Sequence, residues 1–197
     1  SGITYDAKLG KLYAISDDRS EFAPARFYTL NLSLDAQSAD AIKIADVKVE
    51  KVTVLKDEEG QPYAKGTVDL EGIALSPERS LFISSEGVAH EGVPPFISAY
   101  DLESGQRLQS LPMPKRYLPG MTEDNQPIGV GDNLGFESLT ISASGSGSGE
   151  PFRIFAATES ALAQDQEPTT FEQGAKNRLL HYLVQDGRSL LLSEHLY

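Results

Sequence analysis

Cysteine is absent from the 197 residues, as is tryptophan. Without cysteine, thiol catalysis, thiolate metal centres and disulfides are excluded, and the redox compartment stays open. Basic residues are scarce, with 17 Lys and Arg against 29 Asp and Glu and a net charge of −12. That balance argues against a nucleic-acid-binding surface and against docking on anionic membranes. It favours cations as partners, or serves solubility alone. No apolar run approaches the roughly 18 residues that a membrane-spanning helix needs. Ser1-Gly2-Ile3 enters a strand-like run at once, with no signal-peptide pattern in the sequence, which reads as a mature or trimmed chain. Histidine occurs three times, at His90, His181 and His195, without metal-ligand spacing. His90 alone stands in a loop beside the acidic motifs described below. A phosphate-binding loop and a dinucleotide fingerprint are missing. Gly145-Ser146-Gly147-Ser148-Gly149 fits the letters of a serine-hydrolase elbow, but it is a low-complexity tract without the strand-to-helix flanks that make the elbow work.

What is present is a repeated hairpin. Asp69-Leu70-Glu71-Gly72-Ile73-Ala74-Leu75 and Leu81-Phe82-Ile83-Ser84-Ser85-Glu86-Gly87 are two apolar runs joined by a Ser-Pro turn. In an antiparallel pair the start of one strand lies beside the end of the other, so Glu71 and Glu86 emerge at the same end. Ser1-Gly2-Ile3-Thr4-Tyr5 and Glu137-Ser138-Leu139-Thr140-Ile141 align with the first run. Leu12 to Asp17 and Ile154 to Glu159 align with the second. A third and a fourth strand-like segment follow each time: Phe27–Leu32 and Val47–Leu55, Ile97–Leu102 and Gln106–Leu111, Leu179–Val184 and Ser189–Leu196. Four short strands repeated every 66 to 70 residues or so are the mark of β-propeller blades. The prediction is therefore an all-β propeller segment in a single domain, with three four-stranded blades over about 1–66, 67–133 and 134–197. A β-sandwich with coincidental spacing is the alternative. Because closed propellers use about 4 to 8 blades, this reads as part of a ring of about six. The missing remainder or a partner chain is expected on the open edges. The connections are predicted as a polar turn over Asp35–Asp40, a long inter-blade crossing from Leu111 to Asn133, a flexible loop over Ser142–Gly149 and one or two helical turns over Ser160–Gln166.

Several phrases then resemble a known family. They are Tyr13-Ala14-Ile15-Ser16-Asp17-Asp18-Arg19, Pro24-Ala25-Arg26-Phe27-Tyr28, Asp69-Leu70-Glu71-Gly72-Ile73, Ser85-Glu86-Gly87, Asn133-Leu134-Gly135-Phe136-Glu137-Ser138-Leu139 and Ala157-Thr158-Glu159-Ser160-Ala161-Leu162. In this order they resemble the phytase-like family, also called esterase-like activity of phytase. The resemblance implies a propeller in an exported or periplasmic bacterial protein with phosphoester or ester hydrolase activity. Two departures stand out: family members continue well past Tyr197, and the tract Ser144–Gly149 is longer than their turn.

The repeated hairpin predicts where chemistry sits. Glu71 and Glu86 meet at one end of the second blade, Glu137 and Glu159 at the same end of the third, and Ser1 and Asp17 are their counterparts in the first. If first strands line the channel, these groups ring its mouth, with Asp69, Asp132 and Asn133 just upstream. Clustered carboxylates need a cation, a basic residue or a shared proton to persist. All-oxygen donors suit Ca²⁺ or Mg²⁺, with Asp69, Glu71 and Glu137 as expected ligands. Glu71, Glu86, Glu137, Glu159 and Asp17 are the candidate catalytic groups, through metal-activated water or through acid and base roles shared between glutamates. An anionic small-molecule substrate would require positive charge near the ring, for which Arg19, Arg26, Lys115 and Arg116 are the candidates; the planar guanidinium of Arg suits phosphate best. The competing reading is a non-catalytic binding or assembly propeller whose glutamates accept N–H bonds from the adjoining blade and fasten it.

Overall fold

The second blade explains the arrangement of the other two. Its strands β5 (Leu70–Leu75) and β6 (Ser80–Ser85) are buried almost throughout. They read as unbroken apolar runs because both sheet faces are covered. Leu81 and Ile83 of β6 pack with Tyr13, Ile15 and Phe27 of the first blade. Phe82, one residue out of phase, packs with Phe152, Ile154 and Tyr182 of the third. Its ring meets that of Phe152 edge to face at 5.8 Å. Each such fully buried side chain contributes about 1.5–3 kcal/mol of transfer free energy.

The structure is a computed structural model that describes residues 2–35, 43–143, 149–168, 170 and 174–197. It is an all-β propeller segment of three antiparallel four-stranded sheets, each with its strands in sequence order. The first blade is β1 (Ile3–Asp6), β2 (Lys11–Ile15), β3 (Arg26–Asp35) and β4 (Lys43–Val54). β7 (Phe96–Asp101) and β8 (Arg107–Ser110) complete the second. The crossing from Leu111 to Asn133 is not plain loop: it holds a 3-10 turn at Lys115–Tyr117 and a two-stranded ribbon of β9 (Gly120–Met121) and β10 (Pro127–Ile128). The third blade is β11 (Phe136–Ala143), β12 (Phe152–Thr158), β13 (Arg178–Gln185) and β14 (Arg188–Leu196). β12 alternates buried and open positions because, among the described residues, only one of its faces is packed.

Two loop expectations change. Ser142 belongs to β11 rather than to a loop, and the helical piece shrinks to one 3-10 turn at Ala163–Asp165. The expectations for Ser1, for most of the Asp35–Asp40 turn and for residues 144–148 of the Gly/Ser tract lie outside the described residues.

The first strands of the blades touch directly. Ser84 Oγ accepts the Gly72 N–H at 2.9 Å and donates to the Phe136 carbonyl at 3.1 Å, tying the second blade to the third. On the other side the Leu75 N–H reaches Thr4 Oγ1 at 3.3 Å. Contact this close depends on Gly72, where an added Cβ would lie 2.6 Å from both Leu139 Cβ and Ser84 Oγ. Neither neighbour can withdraw, since Leu139 is held in the sheet and Ser84 is bonded on both sides. Gly72→Ala is therefore expected to cost about 1–3 kcal/mol. Urea unfolding of the two proteins measures it; an unchanged midpoint would show that the blades do not meet there.

Candidate functional site

Local irregularities aim two of the glutamates. Between Leu70 and Ile73, β5 has one residue more than the facing Ser85–Ile83 stretch of β6. Between Phe136 and Ser138, β11 likewise has one more than its partner. These are bulges, in which an extra residue bends the strand and re-aims a side chain. Glu71 and Gly72 occupy the first, and Glu137 the second. The opposing acids follow the second strand of each blade. The Glu86 N–H donates to the Asp69 carbonyl at 2.9 Å, and the Glu159 N–H to the Gly135 carbonyl at 2.8 Å. The same backbone step recurs in both blades.

The result is convergence of acids from three blades. Carboxylate oxygens of Asp17, Asp69 and Glu71 lie within 4.8 Å of one another, and so do those of Glu71, Glu86 and Glu137. The expected ligands Asp69, Glu71 and Glu137 thus fall into two sets that share Glu71. Asp69, Glu71 and Glu86 are buried, Glu137 is half-buried and Asp17 is exposed. Glu159 is exposed and in neither set, although its charge raises the Glu137 pKa.

Of the three candidate substrate-binding arginines, Arg19 alone is brought to this group. Its Nε and Nη2 bind Asp69 Oδ2 at 2.8 and 2.5 Å, and Nη2 also meets Asn133 Oδ1 at 2.7 Å. One side chain from the first blade thereby links the lead-in segments of the other two. Arg26 instead knits its own loop, binding Asp18 at 2.7 Å, Tyr28 Oη at 2.7 Å and the carbonyls of Ala23 and Pro24. Arg116 pairs with Glu194 on the outermost strand at 3.2 Å, next to Arg178 and Tyr117, which bind the same carboxylate. Asp132 binds His90 Nδ1 at 2.6 Å, and that contact holds its carboxyl below the usual range. A cavity of about 350 Å³ opens over Asp17, Arg19, Phe22, Asp69 and Asn133. A neighbouring one of about 590 Å³ shares Arg19 and Glu21 and carries Lys65 and His90.

Glu86 is the most perturbed acid of the group. Its side chain enters the interface between blades, where Oε1 accepts the Gly135 N–H at 2.8 Å. The approach needs Gly135, since a Cβ there would lie 2.8 Å from Glu86 Cα. The residue is 1% exposed, and Oε2 has no hydrogen-bond partner. Burial pushes its pKa from 4.5 up to about 7 against the pull of the Gly135 N–H, and the charges of Glu137, Asp69 and Glu71 add to the rise. Burial likewise raises Glu71 and Glu137 above the ordinary carboxyl range. No spacing in the sequence marks Glu86 as the buried member; only the Gly135 approach distinguishes it from Glu159.

A stability test follows from the sign of the Glu86 shift. Between pH 4.5 and about 7 the folded chain keeps a proton that the unfolded chain has released. The associated stability is complete below pH 4.5 and is lost as pH rises to about 7, a loss on the order of 3 kcal/mol. In chelator, Glu86→Gln keeps the Gly135 bond and removes this dependence, so it is expected to be more stable than wild type at pH 8 and nearly equal to it at pH 4. Urea midpoints across pH check it, and parallel profiles for the two proteins would contradict it.

The donor set is oxygen-only, open on one side to a cavity and flanked by one guanidinium. Such a site is suited to a hard cation and to an anionic group placed against Arg19. No helix among the described residues is long and apolar enough to cross a membrane. No curated protein matches the chain. The chain is similar to a solved structure described as a putative 6-phosphogluconolactonase from Bacteroides uniformis, with a TM-score of 0.43 and 10% identity over 98% of this chain and 56% of that one. The chain thus spans little more than half the length of that solved protein. The family model described as esterase-like activity of phytase matches residues 1–197. On that match, the chain belongs to the phytase-like family.

Proposed function

We propose that this propeller segment hydrolyses an ester or phosphoester at the carboxylate-lined mouth, with a divalent cation such as Ca²⁺ or Mg²⁺ held by Asp17, Asp69 and Glu71. The observation that carries the reading is the meeting of acids from different blades with Arg19 under an open cavity. A purely structural acid would need no cavity above it. The donor chemistry fits a hard ion, since three carboxylates supply oxygen alone. When bound, such an ion acidifies a water ligand and offsets the charge that develops on the substrate oxygens.

The chain's own residues account for the rest. Arg19 is pinned through Nε and Nη2, and its guanidinium lines the cavity to meet an anionic oxygen of the substrate. The proton released by the attacking water goes to a carboxylate of the cavity lining, where Asp17 and Glu21 are exposed. Buried inner strands keep these groups in place without reorganisation. A second reading has one observation in its favour: Glu86 accepts the Gly135 N–H across the blade boundary, as a fastener would.

The test is hydrolysis of p-nitrophenyl acetate and p-nitrophenyl phosphate by the 197-residue chain, with calcium and with chelator. Calcium-dependent turnover of either ester is expected. Asp17→Asn should lower kcat/KM by about 100-fold and Arg19→Leu by at least about tenfold. Turnover indifferent to chelator and to both substitutions would end the proposal, and inactivity towards both esters would leave the fastener reading.

A further inference from the structure

We infer that Glu71, Glu86 and Glu137 form a second, buried divalent-cation site behind the mouth, with Glu71 shared between the two ions. The inference rests on the proposed cation at Asp17, Asp69 and Glu71, and adds a position distinct from it. Its ligand atoms already lie within 4.8 Å of one another, a spacing that opposite sides of one ion's oxygen shell span, since Ca²⁺ holds oxygens at about 2.3–2.6 Å.

The independent observation is Glu86 Oε2. It belongs to a side chain 1% exposed, it has no hydrogen-bond partner, and its sister oxygen is already fixed by the Gly135 N–H. Buried carboxylate oxygens are not left bare without cost. Glu137, Asp69 and Glu71, all acids, act on Glu86 by their charge. The guanidinium in the neighbourhood, Arg19, is held by Asp69 and Asn133. A cation at this point would give Oε2 the partner that the described side chains do not.

The positions of the three ligands define a role. Glu71 stands at the bulge of β5, Glu86 just after β6 and Glu137 at the bulge of β11. An ion here clamps the inner strands of the second and third blades beside the Ser84 bridge to the Phe136 carbonyl. It would fix the shared Glu71 for the outer ion as well. The inner position is structural, and the outer one faces the cavity.

Calcium titration of the 197-residue chain by calorimetry tests the inference, with heat unfolding in calcium and in chelator alongside. The expected stoichiometry is two ions per chain. Asp17→Asn and Glu86→Gln should each leave one, and Glu71→Gln none. Calcium should raise the wild-type unfolding midpoint by roughly 5–10 °C, and the rise should shrink in Glu86→Gln. Glu137→Gln provides the same readout should Glu86→Gln fail to fold, as judged by circular dichroism. One ion per chain, still bound by Glu86→Gln, would overturn the inner site and leave the mouth cation standing. No binding by wild type would overturn both.

Discussion

Mutual repulsion among buried carboxylates is the constraint that organises this molecule. Buried Glu71 and Glu86 and half-buried Glu137 are placed within 4.8 Å of one another at the ends of two blades, where less water screens them than at the open surface. Two other acids among the described residues, buried Asp6 and half-buried Glu194, are neutralised by basic partners. Asp6, 2% exposed, binds Arg79 at 2.8 Å and the N–H groups of Lys8 and Leu9. Glu194 sits between Arg178, Arg116 and Tyr117. At the mouth five carboxyl groups of the two sets crowd together, with Arg19 bound to Asp69, and burial raises the pKa of Glu71, Glu86 and Glu137. Such perturbed acids are where function is expected.

The same groups join scaffold to site. Inner strands come close enough to gather acids from separate blades because glycines stand at Gly72 and Gly135, where a side chain would strike Leu139 or Glu86. Bulges in β5 and β11 then turn Glu71 and Glu137 out of the regular alternation. Packing of Phe82 on Phe152 and of Leu81 and Ile83 beside Phe27 holds that geometry from outside. Arg19 adds a polar strap over the top, from the first blade to Asp69 and Asn133.

Much of this was legible in the sequence. The alignment of Ser1–Tyr5, Glu71–Leu75 and Glu137–Ile141 exposed the blades, because each strand's side chains repeat at a fixed register. The hairpin argument placed Glu71 beside Glu86 for a sound reason, namely that antiparallel pairing brings start and end together. It could not show the bulges, since one extra residue changes which way a side chain points without changing composition. Nor could it choose partners for the arginines. Arg26 lies eight residues from Asp18 and closes a local loop, whereas Arg19 crosses to Asp69, fifty residues away. Arg116 was drawn to Glu194 on β14 by a network that no local pattern announces. The difference in burial between Glu86 and Glu159 depends on neighbouring blades, so the repeat alone made them look alike.

The proposed cations would compensate the two carboxylate sets around Glu71. Crystals of the 197-residue chain grown with Mn²⁺ in place of Ca²⁺ would test it most directly, because anomalous scattering locates the metal without reference to activity. Two peaks flanking Glu71 are expected, one bounded by Asp17 and Asp69 and the other by Glu86 and Glu137. An anomalous map without peaks there, with Glu86 Oε2 in hydrogen-bond contact with Glu71 or Glu137, would contradict it. That result would show a shared proton doing the work assigned to the ions.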